Sequence, residues 1–195
     1  MNKNKLSFFI LLFAILINSG TLHSQGLQML PTVGLGSKGI DFSIEIPIAK
    51  KFIIEPTIGL GPSYDFSDRD GVFPKLGTHW ALTKPSVHLS ANSKFFFDRA
   101  RRLRKGKSLL FNSGSFIGAK VEYVTKPLTN DKLHGQTNTL LASLNLGGQS
   151  NIGRYWSYSL SFGLGYGRNL EYIYGTFYPA ADIKVGYVLP FLRGK

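Results

Sequence analysis

The sequence predicts an all-β protein, an eight-stranded antiparallel up-and-down transmembrane β-barrel. Apolar residues recur at every second position over most of the chain after residue 25, which is the period of a β-strand. No apolar stretch in that part approaches the roughly 20 residues that a membrane-spanning helix needs. The positions between the apolar ones are mostly glycine, serine and a few charges, a composition that suits a narrow barrel interior better than a water-exposed face.

The first 24 residues are predicted to be a cleaved signal peptide, and residues 25–195 to be one outer-membrane barrel domain. Lys3 and Lys5 precede an apolar run over residues 6–17, and a short polar stretch follows, which is the layout of a secretory signal. The chain has no cysteine, so neither a disulfide nor a cysteine-linked lipid is available to it. The predicted location is the outer membrane of a Gram-negative bacterium.

Eight alternating segments are predicted to be the strands. They cover residues 27–36, 40–48, 52–64, 85–97, 111–123, 138–146, 154–167 and 177–191. In the seventh, one face is apolar and the other is almost entirely serine and glycine without a charge, so we assign the polar face to the lumen and the apolar face to lipid. A soluble barrel with its apolar face inward is the alternative. Pro56 lies in the middle of the third segment and predicts a β-bulge there, because proline removes a ladder donor.

The connections between these segments alternate in character. Residues 65–79 and 125–137 form long connections, and 49–51 and 147–153 form short ones. Only the turn at Ser37 and Lys38 interrupts a pattern of long loops outside and shorter turns inside. Aromatic residues near the segment ends fit the girdles found at membrane interfaces. These residues are Tyr123, Trp156, Tyr166, Tyr187 and Phe191.

From Leu27 to Phe191 the chain resembles the small eight-stranded outer-membrane barrels of OmpA/OmpX type. Its last strand, Tyr187 to Phe191, is similar to the aromatic-ended signal by which such barrels are recognised for assembly. The chain departs from that signal because four residues follow Phe191, and no appended periplasmic domain is expected. The resemblance implies outer-membrane lipid and the barrel assembly machinery as partners.

Nine ionisable side chains are predicted to point into the lumen. They are Asp41, Glu45, Glu55, His88, Lys94, Lys120, Glu122, Asp182 and Lys184. Charges in so narrow an interior are costly unless they are paired. We therefore predict a salt-bridged plug, with a narrow pore for small solutes as the alternative. The plug predicts a non-enzymatic protein with a structural or interaction role through its extracellular loops, toward a partner that the sequence does not identify.

His88 and Ser90 offer an enzymatic alternative. Outer-membrane lipid A deacylases are similar in having a histidine and a serine two positions apart on a strand, with an acidic partner. A serine nucleophile needs a base within hydrogen-bond reach and a third group to orient that base. Both side chains are predicted to face the lumen, out of reach of an acyl chain, and the sequence assigns no acid to them. No catalytic residue is therefore predicted.

Two further motifs predict neither a cofactor nor a metal. Residues 34–39 spell a dinucleotide fingerprint, but a strand follows them where the fingerprint needs a helix. Asp65, Asp68 and Asp70 before Gly71 match part of a calcium loop, but the closing glutamate is absent and ordinary Asp-Gly turn chemistry explains them. A weak cation site in that loop is the alternative.

The densest charge in this chain of net charge +12 is a basic turn. It consists of Arg99, Arg101, Arg102, Arg104, Lys105 and Lys107. Strand counting places it on the periplasmic side, and export excludes nucleic acid as its partner. The turn is either merely solvated or in contact with anionic lipid headgroups.

Overall fold

The computed structural model describes residues 26–65, 79–129, 138–171 and 175–189. Eight strands form one closed antiparallel barrel in which each strand pairs with its sequence neighbours and the last pairs with the first. The strands are β1 (Leu30–Gly36), β2 (Gly39–Ala49), β3 (Phe52–Asp65), β4 (His79–Phe96), β5 (Gly114–Val124), β6 (Thr139–Ile152), β7 (Trp156–Asn169) and β8 (Gly175–Val188). The predicted all-β up-and-down barrel is confirmed. The predicted signal peptide lies outside the described residues.

The two faces of the wall differ as the alternation predicts. On β7, the apolar residues from Trp156 to Tyr166 are exposed on the outside, and serine and glycine fill the positions between them. Edge-on aromatic pairs lie near both ends of the outer surface, Trp156 with Tyr187 at 5.3 Å and Tyr166 with Phe177 at 5.2 Å between ring centroids. The outside is therefore an apolar belt with aromatic side chains toward its two borders.

Two ends of the barrel can be told apart. At the lower end β1 begins, β8 ends and residues 97–113 connect β4 to β5. At the upper end lie the longer connections that include residues 66–78 and 130–137, which are outside the described part of the chain. Among the described residues, no helix has the length and apolar character needed to cross a bilayer.

The connection over residues 97–113 is more ordered than the simple turn and early strand start that we predicted. It holds a short helix, α1 (Arg99–Arg104), and a 3₁₀ turn at Leu110–Asn112 in which Phe111 and Asn112 have positive φ angles of 53° and 52°. The carboxylate of Asp98 accepts hydrogen bonds from the Ser115 amide at 2.7 Å and the Ser115 hydroxyl at 2.9 Å. These contacts fix the start of α1 against β5, whose ladder begins only at Gly114.

The predicted bulge at Pro56 is wrong. Ser43 lies opposite Thr57 and Ile46 opposite Ile54, so β2 and β3 keep one register on both sides of this proline. The β2–β3 pairing is interrupted beside Pro56, which has no amide proton to donate, and it resumes in the same register. The register shifts instead near Pro47 and Pro62.

The hairpin of β1 and β2 is short, so the wall is lower there than elsewhere. β1 pairs with β8 only up to Lys184, and β2 pairs with β3 only up to Leu60. Within the described residues, the upper parts of β8 and β3 therefore have no ladder partner on the sides that face this hairpin. Gly39 at its turn has a φ of 90°, which favours glycine.

Prolines occupy both of these edges. The amide and carbonyl of Ile183 bond to Ser37, so Pro179, four residues away on β8, directs its missing donor toward the same side. Pro62 lies opposite Pro85 in the β3–β4 ladder, and since neither can donate there, Pro62 also directs its nitrogen toward the low hairpin. Proline is tolerated at such edges because it removes no ladder bond.

β6 is longer than predicted, because Gly147 and Gly148 resemble a turn in the sequence but continue the strand to Ile152. A Cβ atom added to Gly147 would lie 2.6 Å from Cζ of Phe116 and 2.7 Å from the carbonyl oxygen of Leu160. The missing side chain therefore makes room for a lumen ring.

We expect Gly147→Ala to destabilise the barrel by about 1–3 kcal/mol, because the added methyl group overpacks the lumen against Phe116. The measurement is urea unfolding in lipid vesicles followed by tryptophan fluorescence. Gly148→Ala is the matched control, since its nearest atom would be 3.8 Å away. Equal losses of stability in the two variants would contradict this packing account.

Candidate functional site

Apolar clusters close the lumen at both ends. The lower end is filled by Leu27, Ile53, Phe96 and Phe116, with Leu30, Phe111 and Val188 beside them. The upper end holds Val124, Leu141 and Tyr178. Leu27 belongs to no strand here, contrary to the predicted segment 27–36, and the chain before β1 is held in the mouth by a hydrogen bond from Arg99 to the Gly26 carbonyl at 3.1 Å. A charged layer lies between these two clusters.

Lys94 of β4 is the centre of the lower half of that layer. Its ammonium nitrogen lies 2.8 Å from Oε1 of Glu45, 2.8 Å from Oε2 of Glu55 and 2.9 Å from Oε1 of Gln149. An ammonium group has three donors, so these three acceptors saturate it. Glu45 also accepts from Asn112 at 2.7 Å, which connects the lower mouth to the network. The predicted pairing of lumen charges is therefore present, and it ties β2, β3, β4 and β6 together.

Lys184 of β8 makes the second link across the lumen. Its ammonium nitrogen lies 2.6 Å from Oδ1 of Asp41 and 3.4 Å from Oε1 of Glu55, and it donates to the Ser43 hydroxyl at 2.8 Å. Because Glu55 contacts both Lys94 and Lys184, the two lysines share one carboxylate. The last strand is thereby connected to β2 and β3 through side chains as well as through the ladder.

Glu122 of β5 is the centre of the upper half. Its Oε2 accepts from Lys38 at 2.5 Å and lies 3.5 Å from Lys120, and its Oε1 lies 2.8 Å from Nδ1 of His88. Lys120 also lies 3.2 Å from Asp182. These contacts bring the remaining predicted lumen residues together. Glu122 is almost fully buried, so an unpaired charge there would be costly.

His88 has an acceptor at each ring nitrogen, Glu122 at Nδ1 and the Pro62 carbonyl at 3.0 Å from Nε2. A neutral imidazole donates from only one nitrogen, whereas a ring with both protons donates to both acceptors. The lumen network then contains five carboxylates, four lysines and one histidine. The two contacts of His88 hold its ring between β3 and β5.

Four polar members of the layer are not among the nine predicted lumen residues, namely Lys38, Ser43, Asn112 and Gln149. Lys38 lies in a turn, and its side chain enters the lumen only because the first hairpin ends so low. The side chain of Asn112 reaches the lumen from a backbone with positive φ angles, and no sequence pattern predicted that conformation. Ser43 already lies on the inward face of the predicted segment 40–48, and extending the parity of β6 beyond residue 146 would have found Gln149.

The space left between these side chains is small. A cavity of about 50 Å³ lies between the two halves of the network and is lined by residues of both, including Asp41, Lys120 and Asp182. A second of about 30 Å³ lies below it, beside Glu45 and Lys94. Each is large enough for one to a few water molecules. Neither is large enough for an acyl chain or a cofactor.

The His88 and Ser90 pair has an acidic partner that the sequence could not assign, since Glu122 contacts the ring at Nδ1. The other nitrogen, however, is directed to the Pro62 carbonyl. Activation of a serine requires that nitrogen to accept the hydroxyl proton. The described arrangement therefore holds the histidine in the ion network.

No relative defines this site. Comparisons with protein families, with curated proteins and with solved structures find no match to this chain. Among the described residues, no group of three histidine, aspartate or glutamate side chains is arranged to hold a metal ion. The side chains of Asp65, Asp68 and Asp70, considered above as a partial calcium loop, lie outside the described part.

We expect Lys94→Met to destabilise the barrel by about 3–5 kcal/mol, because it leaves the buried carboxylates of Glu45 and Glu55 without their shared cation. Urea unfolding in lipid vesicles measures this. Lys105→Met is the matched control, since Lys105 is exposed at the lower end. The importance of the network would be disproved by equal unfolding midpoints for the two variants.

Proposed function

We propose that this protein is a non-enzymatic outer-membrane barrel, exported with a cleaved signal peptide, that has a structural or interaction role through its extracellular loops. We propose that it resembles the small outer-membrane barrels of OmpA/OmpX type. In the membrane orientation that we propose, the lower end of the barrel faces the periplasm and the upper end faces the exterior. Its partners would be outer-membrane lipid, the barrel assembly machinery and a ligand or envelope component bound by the loops.

The observation that carries the proposal is the inversion of the two faces. Leu144, Leu164, Leu35 and Phe177 have 68%, 67%, 64% and 64% of their surface exposed on the outside, while the ion network lies within. A soluble barrel places its apolar face inward, and a continuous exposed belt of this kind would drive aggregation in water. Hydrocarbon is the solvent that suits such a surface.

The filled lumen supports a structural or interaction role over transport. The lysine ammonium groups have their acceptors in the protein, and apolar clusters lie above and below them. A solute crossing the barrel would have to separate several buried ion pairs. A narrow pore is the second candidate, because the cavity of about 50 Å³ lies in the middle of the barrel axis and is lined by charges.

We expect Leu160→Arg on β7 to cost about 2–4 kcal/mol, because the guanidinium would enter hydrocarbon near the middle of the apolar belt. Ser161→Thr changes the neighbouring inward residue and should cost much less. Folding into lipid vesicles, read from the difference in gel migration before and after boiling, gives the comparison. If both variants fold alike, the assignment of the faces to lipid and lumen is wrong.

We expect the purified protein to give no stable single-channel steps in planar bilayers, because its own side chains fill the lumen. A general porin measured in the same bilayers is the positive control. Stable steps that change in size or disappear with Lys120→Gln or Glu122→Gln would instead support the pore, since those residues line the central cavity.

A further inference from the structure

The lower end of the barrel is strongly basic. Its three connections carry nine lysine and arginine residues, and Asp98 is the only acidic residue in them. Seven of the basic side chains are exposed and have no carboxylate partner among the described residues. These seven, here called the basic rim, are Lys50, Lys51, Arg101, Arg104, Lys105, Lys107 and Arg154.

The other two arginines and the aspartate have structural contacts. Arg99 is buried against the Phe96 ring and donates to the Gly26 carbonyl, and burial, followed by the charge of Arg102, lowers the pKa of its guanidinium. Arg102 donates to the Ser108 carbonyl at 3.2 Å. Asp98 is occupied by the amide and hydroxyl of Ser115. The barrel therefore supplies the basic rim with no counter-ion of its own from the described residues.

Exposed apolar side chains lie directly beside the basic rim. Phe97, Leu103 and Leu110 are exposed within the connection over residues 97–113, which also holds Arg104. Basic residues mixed with exposed apolar ones are typical of a surface at the depth where hydrocarbon gives way to headgroups. Trp156 and Tyr187, an aromatic pair at the lower border of the belt, lie at the same end.

We propose that the basic rim binds the phosphate groups of anionic phospholipids in the leaflet around the lower end of the barrel. This inference rests on the proposed function, because it requires the apolar belt to lie in a bilayer. The rim charges come from three connections around the barrel, and not from one patch. That distribution fits a ring of surrounding lipids better than a single macromolecular partner, and the exposed leucines gain hydrocarbon contact in the same position.

Trp156 provides a local reporter for this proposal. It is exposed on the outside at the start of β7 and lies opposite Ile152 of β6. The neighbouring Asn151 accepts a hydrogen bond from the Ser108 hydroxyl of the basic connection at 2.9 Å. The chain has two tryptophans, so Trp80→Phe leaves Trp156 alone. Lipids brominated in their acyl chains quench a tryptophan that they touch, and thus report which lipid lies beside this end.

The experiment compares quenching of Trp156 in phosphatidylcholine vesicles that contain about one part in five of phosphatidylglycerol, with one or the other lipid brominated. The test variant carries Arg101→Gln, Arg104→Gln, Lys105→Gln and Lys107→Gln. The control keeps every charge with Arg101→Lys, Arg104→Lys, Lys105→Arg and Lys107→Arg. Gel migration before and after boiling shows which variants have folded.

We expect Trp156 of the parent to be quenched preferentially by brominated phosphatidylglycerol. This preference should fall by roughly fivefold or more in the four-glutamine test variant, because each basic residue near a charged surface raises the affinity for anionic lipid on the order of fivefold. The charge-keeping control should retain it, and about 1 M salt should weaken it in the parent.

Four other results overturn the inference. Quenching of the folded parent that only follows each lipid's share of the vesicle would refute the headgroup site and leave the membrane barrel standing. No quenching by either lipid would refute the proposed function as well. A preference unchanged in the neutral variant would place the lipid contact elsewhere. Charge-dependent sedimentation with peptidoglycan, without any lipid preference, would assign the basic rim to that polymer.

Discussion

The interior of an eight-stranded barrel is so narrow that its own side chains must fill it, and here buried ion pairs fill the middle. Lys94 and Lys184 both reach Glu55, and together they connect β2, β3, β4, β6 and β8 across the lumen. Each of these charges would be costly alone, so the pairs form only when the strands that carry them are in register. The closed shape and the charge pairing therefore depend on each other.

The residues around this ion-pair layer are complementary in size, with large side chains packed over glycines. Tyr178 lies over Gly165, where any Cβ atom would approach the tyrosine ring to about 2.5 Å, and the Phe116 ring occupies the space left by Gly147. Glycine on one strand thus accepts an aromatic ring from another at both ends of the lumen. The result is three layers along the axis, apolar, ionic and apolar, which leave only small polar cavities between side chains.

The period of two in the sequence was enough to predict the eight strands and the strand residues whose charged side chains face the lumen, because the direction of each side chain follows from strand parity. It was not enough for the ends of the elements. The glycines at 147 and 148 suggested a turn because a sequence does not show that a ring from another strand needs their space. The pairing of Lys38 with Glu122 was equally hidden, since it depends on how low the first hairpin ends.

The shortness of β1 has a mechanical consequence. This strand has seven residues, whereas β8, to which it is joined, has fourteen. The join brings together the first and last strands of the barrel, so closing it costs more chain entropy than any other join. It is also the join with the fewest paired residues, and Pro179 on the β8 edge above it lacks an amide donor that a longer join would use. The barrel wall is therefore weakest between β1 and β8, and a mechanical force that pulls the strands apart would separate this pair first.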